Sequence, residues 1–304
     1  MPLGHWAVQE GNVPLGHFPV GTHEPYTSLK YVRVNITRMT RVVNVRYTAA
    51  MPDKYDAVWV SHSSMGDFLK CPRAYYLKNV YKDKATRRKI NLITPALSLG
   101  QAVHAVLEGL ANYPAHERME RDLLADLDAA WESVSGLRGG FRSEEEEEDA
   151  HERAVAMLER VSAHPGPLAE KTVRLPKGHN GMPPNFYLSE EENLILCGLI
   201  DWLVYVPEDD SVQILDFKTG KHDESESSLQ LPIYLLLLTA LQRRPVSGAL
   251  YWYLDRDAAP TPVELPDVSV ARERVLSVAR QVKQARLVQA FACPRGTEGC
   301  YACR

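Results

Sequence analysis

The spacing of hydrophobic residues changes between the two halves of the chain. From Ser61 to about residue 163, apolar residues recur at helical spacing, and the serines at 61, 63 and 64 suit the cap of the first helix. The acidic run at residues 144–149 is expected to be a solvated helix start. From about residue 170, short apolar or alternating runs are separated by turn residues, which is typical of strands. These runs are "EKTVRL", "NLILCGLIDWLVYV" and "SVQILDFKTG", and each is expected to be a strand. They are followed by a helix at "LQLPIYLLLLTALQ", a strand at "GALYWYLD" and a helix around residues 268–288. The pattern predicts an α/β fold in which helices flank a mixed central sheet.

Residues 1–55 differ from the rest of the chain. They contain scattered Gly, Pro and His and then a short basic, β-branched stretch, without a sustained helical period. We expect them to be an N-terminal extension, either disordered or folded as an accessory hairpin. Residues 56–304 are then the functional domain, with a helical insertion at about 112–165 and a cysteine cluster at 293–303.

Composition narrows the class of protein without identifying it. The chain has 304 residues, of which 45% are hydrophobic and 24% are charged, as in an ordinary globular protein. Its longest apolar run is too short to cross a bilayer, and the N-terminus lacks a basic segment followed by an apolar one. We therefore expect a cytoplasmic protein without a membrane partner. The formal net charge of -4 gives no overall sign of nucleic-acid binding.

Four side chains suggest a catalytic metal site. In "QILDFKTGK", strand periodicity places Asp216 and Lys218 on one face. Asp201 interrupts the apolar run "CGLIDWL", where a carboxylate is costly unless it is paired or binds a metal, and His104 lies beside the apolar stripe of "GQAVHAVLEG". Carboxylates bind Mg²⁺, a histidine ligand makes Mn²⁺ equally suitable, and a lysine can stabilise the charge that builds on a phosphate. The alternative is a surface ion pair, a core histidine and a structurally paired aspartate.

The order of these motifs resembles a known nuclease family. "GQAVHAVLEG", "GLIDWL", "ILDFKTGK" and "LQLPIYLLLL" look like the successive motifs of the RecB-like branch of the PD-(D/E)XK nucleases. The resemblance implies a restriction-endonuclease-like core. It also implies that His104, Asp201 and Asp216 bind the metal and that Lys218 is catalytic. The same resemblance adds Gln230 and Tyr234, which the i, i+4 spacing places on one face of the next helix.

Four of the five cysteines form a second candidate site. Cys293, Cys300 and Cys303 lie in the last twelve residues, whereas Cys71 lies in "LKCPRAYYL" far upstream. In a reducing compartment such clustering indicates metal ligation rather than disulfides. The arrangement resembles that of the AddB nuclease subunit and the CRISPR-associated RecB-like exonucleases, which implies a 4Fe–4S cluster. A structural zinc site is the alternative, although only one C-x₂-C is present, and Cys197 is expected to be a small buried residue.

A basic, tyrosine-containing segment is a candidate nucleic-acid contact. Residues 70–89 contain eight Lys or Arg and a single acid, Asp83. Cations contact phosphates and exposed tyrosines can stack on single-stranded bases, whereas the alternative is a solvated helix end whose tyrosines belong to the core. The residues predicted to bind nucleic acid are Arg73, Tyr75, Tyr76, Lys78, Arg87 and Arg88.

Taken together, the sequence predicts a divalent-metal-dependent DNA nuclease. We expect exonuclease activity on single-stranded DNA ends, in DNA repair, recombination or defence. The chain has no G-x-x-x-x-G-K-[ST], so unwinding would come from a helicase, and a partner in CRISPR adaptation is also expected from the resemblance. The alternative is a catalytically silent DNA-binding or scaffold subunit of a helicase–nuclease complex.

Overall fold

A computed structural model describes residues 54–176, 178 and 181–304. The predictions for residues 1–53, disorder or an accessory hairpin, lie outside the described residues. Residues 57–304 form one compact unit, and the elements below belong to it.

The unit begins with a short strand and a helical region and continues with strands. Its helices are α1 (His62–Lys70), α2 (Pro72–Tyr75), α3 (Pro95–Gly109), α4 (Leu123–Trp131), α5 (Glu144–Ala163), α6 (Gln230–Leu241) and α7 (Val268–Leu287). Its strands are β1 (Val58–Val60), β2 (Asn185–Ser189), β3 (Leu194–Cys197), β4 (Trp202–Val206), β5 (Ser211–Lys218), β6 (Val246–Tyr253) and β7 (Thr261–Val263). A π-helical turn follows α2 at Tyr76–Val80, and 3-10 turns cover Leu110–Asn112, Ala115–Glu120, Gly136–Gly139 and Gly166–Ala169.

The strands form two mixed sheets. In the three-stranded sheet, ordered β1-β3-β2, β3 pairs in parallel with β1 and antiparallel with β2. In the four-stranded sheet, ordered β4-β5-β6-β7, β5 and β6 are parallel and the outer pairs are antiparallel. The α/β class with mixed sheets and flanking helices is thus as predicted. The run "NLILCGLIDWLVYV" was expected to be one strand, but it breaks after Cys197 and contributes to both sheets.

Two groups of helices cover opposite faces of the four-stranded sheet. Ile214 and Ala249 belong to the same apolar cluster as the buried residues of α6 and α7. Leu215 and Phe217 point to the opposite face from Ile214 and belong to the cluster formed with α3, α4 and α5. This alternation is the period of two that a strand imposes. Helix α6 carries buried residues from Leu231 to Leu238 without a gap, because it is apolar all round.

The helical region is attached to the sheet by a buried arginine. Arg118 is 3% exposed, and its guanidinium donates to the backbone carbonyls of Leu110, Tyr113, Leu168 and Glu170. It also lies over the ring of Trp202, 5.0 Å from the ring centroid. These bonds join the turns at Leu110–Asn112 and Gly166–Ala169.

The local chemistry explains how α5 begins. Ser143 caps it by accepting from the backbone N–H of Glu146, and four glutamates occupy the first turn, where the helix dipole favours negative charge. The acidic run is therefore a helix start, as predicted.

The stretch "EKTVRL" was expected to be a strand but makes only an isolated bridge between Thr172 and Val204. None of the helices among the described residues has both the length and the apolar character needed to cross a bilayer.

Candidate active site and cysteine cluster

Asp216 and Lys218 lie near the end of β5, on the face that α6 covers. Asp216 is 1% exposed, and its Oδ2 lies 2.8 Å from the Nζ of Lys218. The angle of this contact does not make a hydrogen bond, so Oδ2 is a buried oxygen without a hydrogen-bond partner among the described residues. The ammonium group of Lys218 compensates the charge of this oxygen, and a bound cation would give it a further partner.

Asp201 reaches the same place from the break between β3 and β4. Trp202 pairs with Leu215 in the antiparallel register. Asp201, the residue just before β4, therefore lies beside Asp216 of β5. The backbone N–H of Phe217 donates to Oδ2 of Asp201 at 2.9 Å and so fixes the carboxylate. The second acid of the site is therefore positioned by strand pairing.

His104 approaches from α3. Its Nδ1 lies 3.5 Å from Oδ2 of Asp201, and its ring packs edge-on against Phe217 with 5.9 Å between the centroids. Gly100 of α3 lies close to the residue that follows β5. A Cβ atom at Gly100 would lie 3.0 Å from Oγ1 of Thr219.

Gln230 connects the acid and the lysine. Its Nε2 donates to Oδ1 of Asp216 at 2.6 Å and to the hydroxyl of Tyr234 at 3.1 Å. Its Oε1 accepts from Nζ of Lys218 at 2.5 Å. The i, i+4 pair on α6 thus orients the strand end, because one amide holds a carboxylate and an ammonium group together.

The electrostatics of the site are those of acids that need a counter-ion. Burial, and then the charge of Asp216, raise the pKa of Asp201 to about 7. Burial also raises the pKa of Asp216, although the Lys218 charge opposes it. Burial lowers the pKa of His104, but Glu108, Asp201 and Asp216 outweigh it and the net shift is upward. Two carboxyl groups that burial drives towards protonation are stabilised as anions by a bound cation.

These residues fit a divalent ion. One donor atom each from His104, Glu108 and Asp201 lies within 4.8 Å of the others. The 3.5 Å between Nδ1 of His104 and Oδ2 of Asp201 is long for a hydrogen bond but close to the spacing of about 3 Å between neighbouring ligands of an octahedral Mg²⁺. Asp216 is not part of this compact group, because its carboxylate points to Gln230 and Lys218, but its charge acts on both His104 and Asp201.

Three residues at the site were not among the predicted ones. Glu108 contacts Nδ1 of His104 at 3.3 Å, and its i+4 position on α3 is a signal that could have identified it. Glu224, in the loop after β5, accepts from Nζ of Lys218 at 2.9 Å. His62, the first residue of α1, has a buried Nδ1 without a hydrogen-bond partner among the described residues, and the charges of Glu224, Lys218 and Asp216 all act on its pKa, which burial lowers. No local pattern marks these last two.

The four predicted cysteines come together in a separate cluster. The sulfur atoms of Cys71, Cys293, Cys300 and Cys303 all lie within 4.8 Å of one another, and Cys300 and Cys303 are 3.8 Å apart. Cys71 lies at the junction of α1 and α2, so the cluster joins the start of the unit to residues 293–303. Cys197 is outside it: its sulfur donates to the carbonyl of Val60 from strand β3.

The surroundings of the cluster shift the pKa values of its thiols in opposite directions. Burial raises the pKa of Cys71 to about 11, whereas hydrogen bonds from the backbone of Ala302 and from the other cysteines overcome burial and lower that of Cys300 to about 7. Gly299 has φ of +78°, which an L side chain rarely adopts, and a Cβ there would lie 3.3 Å from the sulfur of Cys303. The turn of "EGCYAC" therefore requires glycine to place its cysteines.

The sulfur spacing matches one kind of ligand directly. Zn–S bonds of about 2.3 Å make a tetrahedron whose edges are about 3.8 Å, the distance between Cys300 and Cys303. In a 4Fe–4S cluster each cysteine binds a different iron, so the sulfurs would have to lie farther apart. The residues fit either group by their chemistry.

The basic segment of residues 70–89 is divided between surface and core. Tyr75 is 1% exposed and packs against Phe68 and Phe291, so it belongs to the core and is removed from the residues that could stack on a base. Tyr76 is half-buried and also packs on Phe291. The cations have various roles: Lys78 pairs with Asp67, Arg73 donates to the carbonyl of Thr297, and Arg87 and Arg88 are exposed.

A comparison with protein families agrees with this geometry. The model of the PD-(D/E)XK nuclease superfamily matches residues 59–304, which is well over half of the chain. The chain belongs to the PD-(D/E)XK nuclease superfamily. No curated protein matches it. As a member of this superfamily it has the fold of a nuclease-type phosphodiesterase, and the family's enzymes depend on divalent metals. The match covers every residue of the two clusters, from Cys71 to Cys303.

Proposed function

We propose that this protein is a divalent-metal-dependent deoxyribonuclease of the RecB-like kind that degrades DNA from single-stranded ends. The observation that carries the proposal is the convergence of one imidazole, two carboxylates and one ammonium group at the end of β5, drawn from α3, the β3–β4 break and β5 itself. Each of these groups has a role in metal-assisted hydrolysis of a phosphodiester.

The roles follow from the contacts. His104 and Asp201 would hold Mg²⁺ or Mn²⁺, with Glu108 orienting His104 or joining the ligands. Asp216 completes the predicted ligand set, and its carboxylate, which lies against Gln230 and Lys218, would share its charge with the ion. The bound ion supplies Lewis-acid polarisation of the phosphate and activation of water. Lys218 has three N–H donors; Glu224 and Gln230 accept two of them, and the charged Oδ2 of Asp216 lies 2.8 Å from the same Nζ. Lys218 would therefore exchange one of these partners for a phosphate oxygen or the attacking water. Gln230, which also donates to the hydroxyl of Tyr234, holds Asp216 and Lys218 in position through its hydrogen bonds.

The experiment is digestion of end-labelled single-stranded and duplex DNA with Mg²⁺, Mn²⁺ or no added metal. We expect metal-dependent shortening of the single strand from an end, and no shortening by Asp216→Asn. A protein that binds DNA but cuts no substrate with either metal would instead be the silent scaffold subunit, a reading that the complete set of site residues disfavours. Cleavage of RNA alone, or cleavage within circles, would also contradict the proposal.

Two ligands of the cysteine cluster, a 4Fe–4S cluster and a zinc ion, are favoured by different observations. We propose a 4Fe–4S cluster on the basis of the resemblance and the single C-x₂-C, whereas the sulfur spacing favours zinc. Protein purified without oxygen is expected to be brown, with a broad absorption band that dithionite bleaches, and to contain iron and sulfide. Colourless protein with one zinc per chain would establish the other group.

The wider setting remains a prediction. Action in repair, recombination or defence, association with a helicase or with CRISPR adaptation, and a cytoplasmic location follow from the resemblance and from the sequence. Co-purification of the full chain from its own cell is the direct test of these partners.

A further inference from the structure

An open groove of about 880 Å³ lies beside the cysteine cluster. Its walls come from the C-terminal half of α1 with the π-helical turn, from the segment before α3, and from the turns of residues 295–304. No described residue of the candidate active site lines it. The residues used below are Lys70, Leu92, Leu97, Arg295 and Tyr301.

The charge of the groove is positive. Lys70, Lys78, Arg295 and Arg304 line it, and Asp67 is its one acidic lining residue. Asp67 is already neutralised, because Nζ of Lys78 lies 2.9 Å from its Oδ1. None of the ion pairs among residues 54–176 and 181–304 uses Lys70 or Arg295, so these two cations are available to a phosphate chain.

Apolar and aromatic side chains line the groove beside these cations. Leu92 and Leu97 are each 60% exposed, and the ring of Tyr301 is fully exposed. Exposed apolar groups clustered in a groove mark a binding surface. Single-stranded nucleic acid presents both kinds of complementary group, because its bases stack on aromatic and apolar side chains while its phosphates contact cations.

Two helices lead from the groove to the candidate active site. Helix α1 begins at His62, on which the site charges act, and ends at Lys70 in the groove, eight residues or about 12 Å away. On α3, Leu97 in the groove and His104 at the site are seven residues apart. That spacing is nearly two full turns, so both lie on one helix face about 10 Å apart.

We propose that this groove holds the single-stranded segment of the DNA substrate, with Tyr301 stacking on a base and Lys70 and Arg295 contacting phosphates. The strand then passes along α1 and α3 to the metal site. The path from the groove to the metal site rests on the proposed nuclease function. Binding of the single strand in the groove is measured separately from cleavage. We thus assign substrate contacts to Arg295 and Tyr301, which lie outside the basic segment 70–89, and to Lys70 at its start.

The test is fluorescence polarisation with a labelled oligothymidylate and a duplex of the same length. The full chain carries Asp216→Asn throughout, so that no substrate is cut. Tyr301→Ala should weaken binding of the single strand about 5- to 100-fold, the range for loss of one stacked base, whereas Tyr301→Phe keeps the ring and should bind like the parent. Since Tyr301 is fully exposed, an unchanged melting temperature will show that both variants fold.

The cations are tested through salt dependence. The double variant Lys70→Ala/Arg295→Ala should bind the single strand more weakly and reduce the slope of log affinity against log salt by about 1.4, or about 0.7 for each lost phosphate contact. The matched control is Arg243→Ala, an exposed arginine just before β6 and so at the opposite end of the parallel β5–β6 pair from Lys218. It should leave both quantities unchanged.

Two results would overturn the inference. Unchanged affinity for the single strand in Tyr301→Ala and in the double variant would show that the groove does not bind it, and a protein partner would then be the candidate occupant. Equal loss of duplex and single-strand binding would remove the preference for a single strand. If the wild-type chain cuts no DNA but these variants still lose single-strand binding, the nuclease function fails while the groove stands.

Discussion

The two clusters of donor atoms in this protein differ in what holds them together. At the end of β5, protein groups already fix the side chains: Phe217 N–H holds Asp201, and Gln230 bridges Asp216 and Lys218. The cysteines have only weak protein contacts, such as the backbone N–H of Cys300 at 3.3 Å from the sulfur of Cys303. Residues 293–304, all described, form turns rather than helix or strand.

The difference indicates different uses of a bound metal. The oxygen and nitrogen donors are arranged by a sheet and two helices, so a metal bound there would be able to exchange without loss of the fold, as the proposed catalysis requires. The sulfur donors come from the two ends of the compact unit, and three of them lie in turns, so a metal bound there would contribute to folding. Four substitutions test this distinction, in order of decreasing expected effect.

The largest effect is expected for Cys71→Ser. Loss of one thiolate should release the bound group, and the melting temperature should fall by about 10 °C or more, because binding free energy is folding free energy at such a site. Differential scanning fluorimetry with metal analysis measures both. Cys197→Ser is the matched control, since Cys197 lies outside the cluster. Full stability of Cys71→Ser without metal would show that the cluster is not structural.

Lys218→Met should affect activity and leave the cysteine cluster intact. Cleavage should fall about 10²- to 10³-fold, the usual loss when one group that stabilises transition-state charge is removed, while the metal content at the cysteines stays unchanged. Lys221→Met, an exposed lysine three residues further along, is the control. Single-turnover digestion gives the rate. Wild-type cleavage by Lys218→Met would refute the catalytic role.

Glu108→Gln tests how far the catalytic metal depends on its orienting groups. Because Glu108 contacts Nδ1 of His104, its loss should raise the Mg²⁺ or Mn²⁺ concentration needed for half-maximal cleavage about 10- to 100-fold. A metal titration of the cleavage rate measures this. Glu145→Gln, at the acidic start of α5, should behave like the wild type. An unchanged titration would remove Glu108 from the site.

The smallest effect is expected for Tyr234→Phe. The substitution removes one hydrogen bond to Gln230, which keeps its bonds to Asp216 and Lys218, so cleavage should fall by less than about 10-fold. Gln230→Leu, which removes all three bonds, should lose much more activity under the same assay. Equal losses in the two variants would mean that the tyrosine hydroxyl acts directly on the substrate.

The sequence by itself determined what depends on neighbours in the chain. A period of two placed Asp216 and Lys218 on one strand face, and a spacing of four placed Gln230 and Tyr234 on one helix face. The same local reasoning predicted the α/β class and the helical start at the acidic run. It also placed Cys71 in one set with three cysteines more than two hundred residues away, through the resemblance of their spacing to a known family.

Only the tertiary structure decided which distant elements meet. The run expected to be one strand ends after Cys197 and resumes as β4 at Trp202. The β4–β5 register then places Asp201 beside Asp216. The tertiary structure buried Tyr75, exposed Tyr301, and brought Glu224 from a loop onto Lys218. The physical reason is that alternation and helical spacing fix the face on which a residue lies, whereas its partner on another element depends on how whole layers pack.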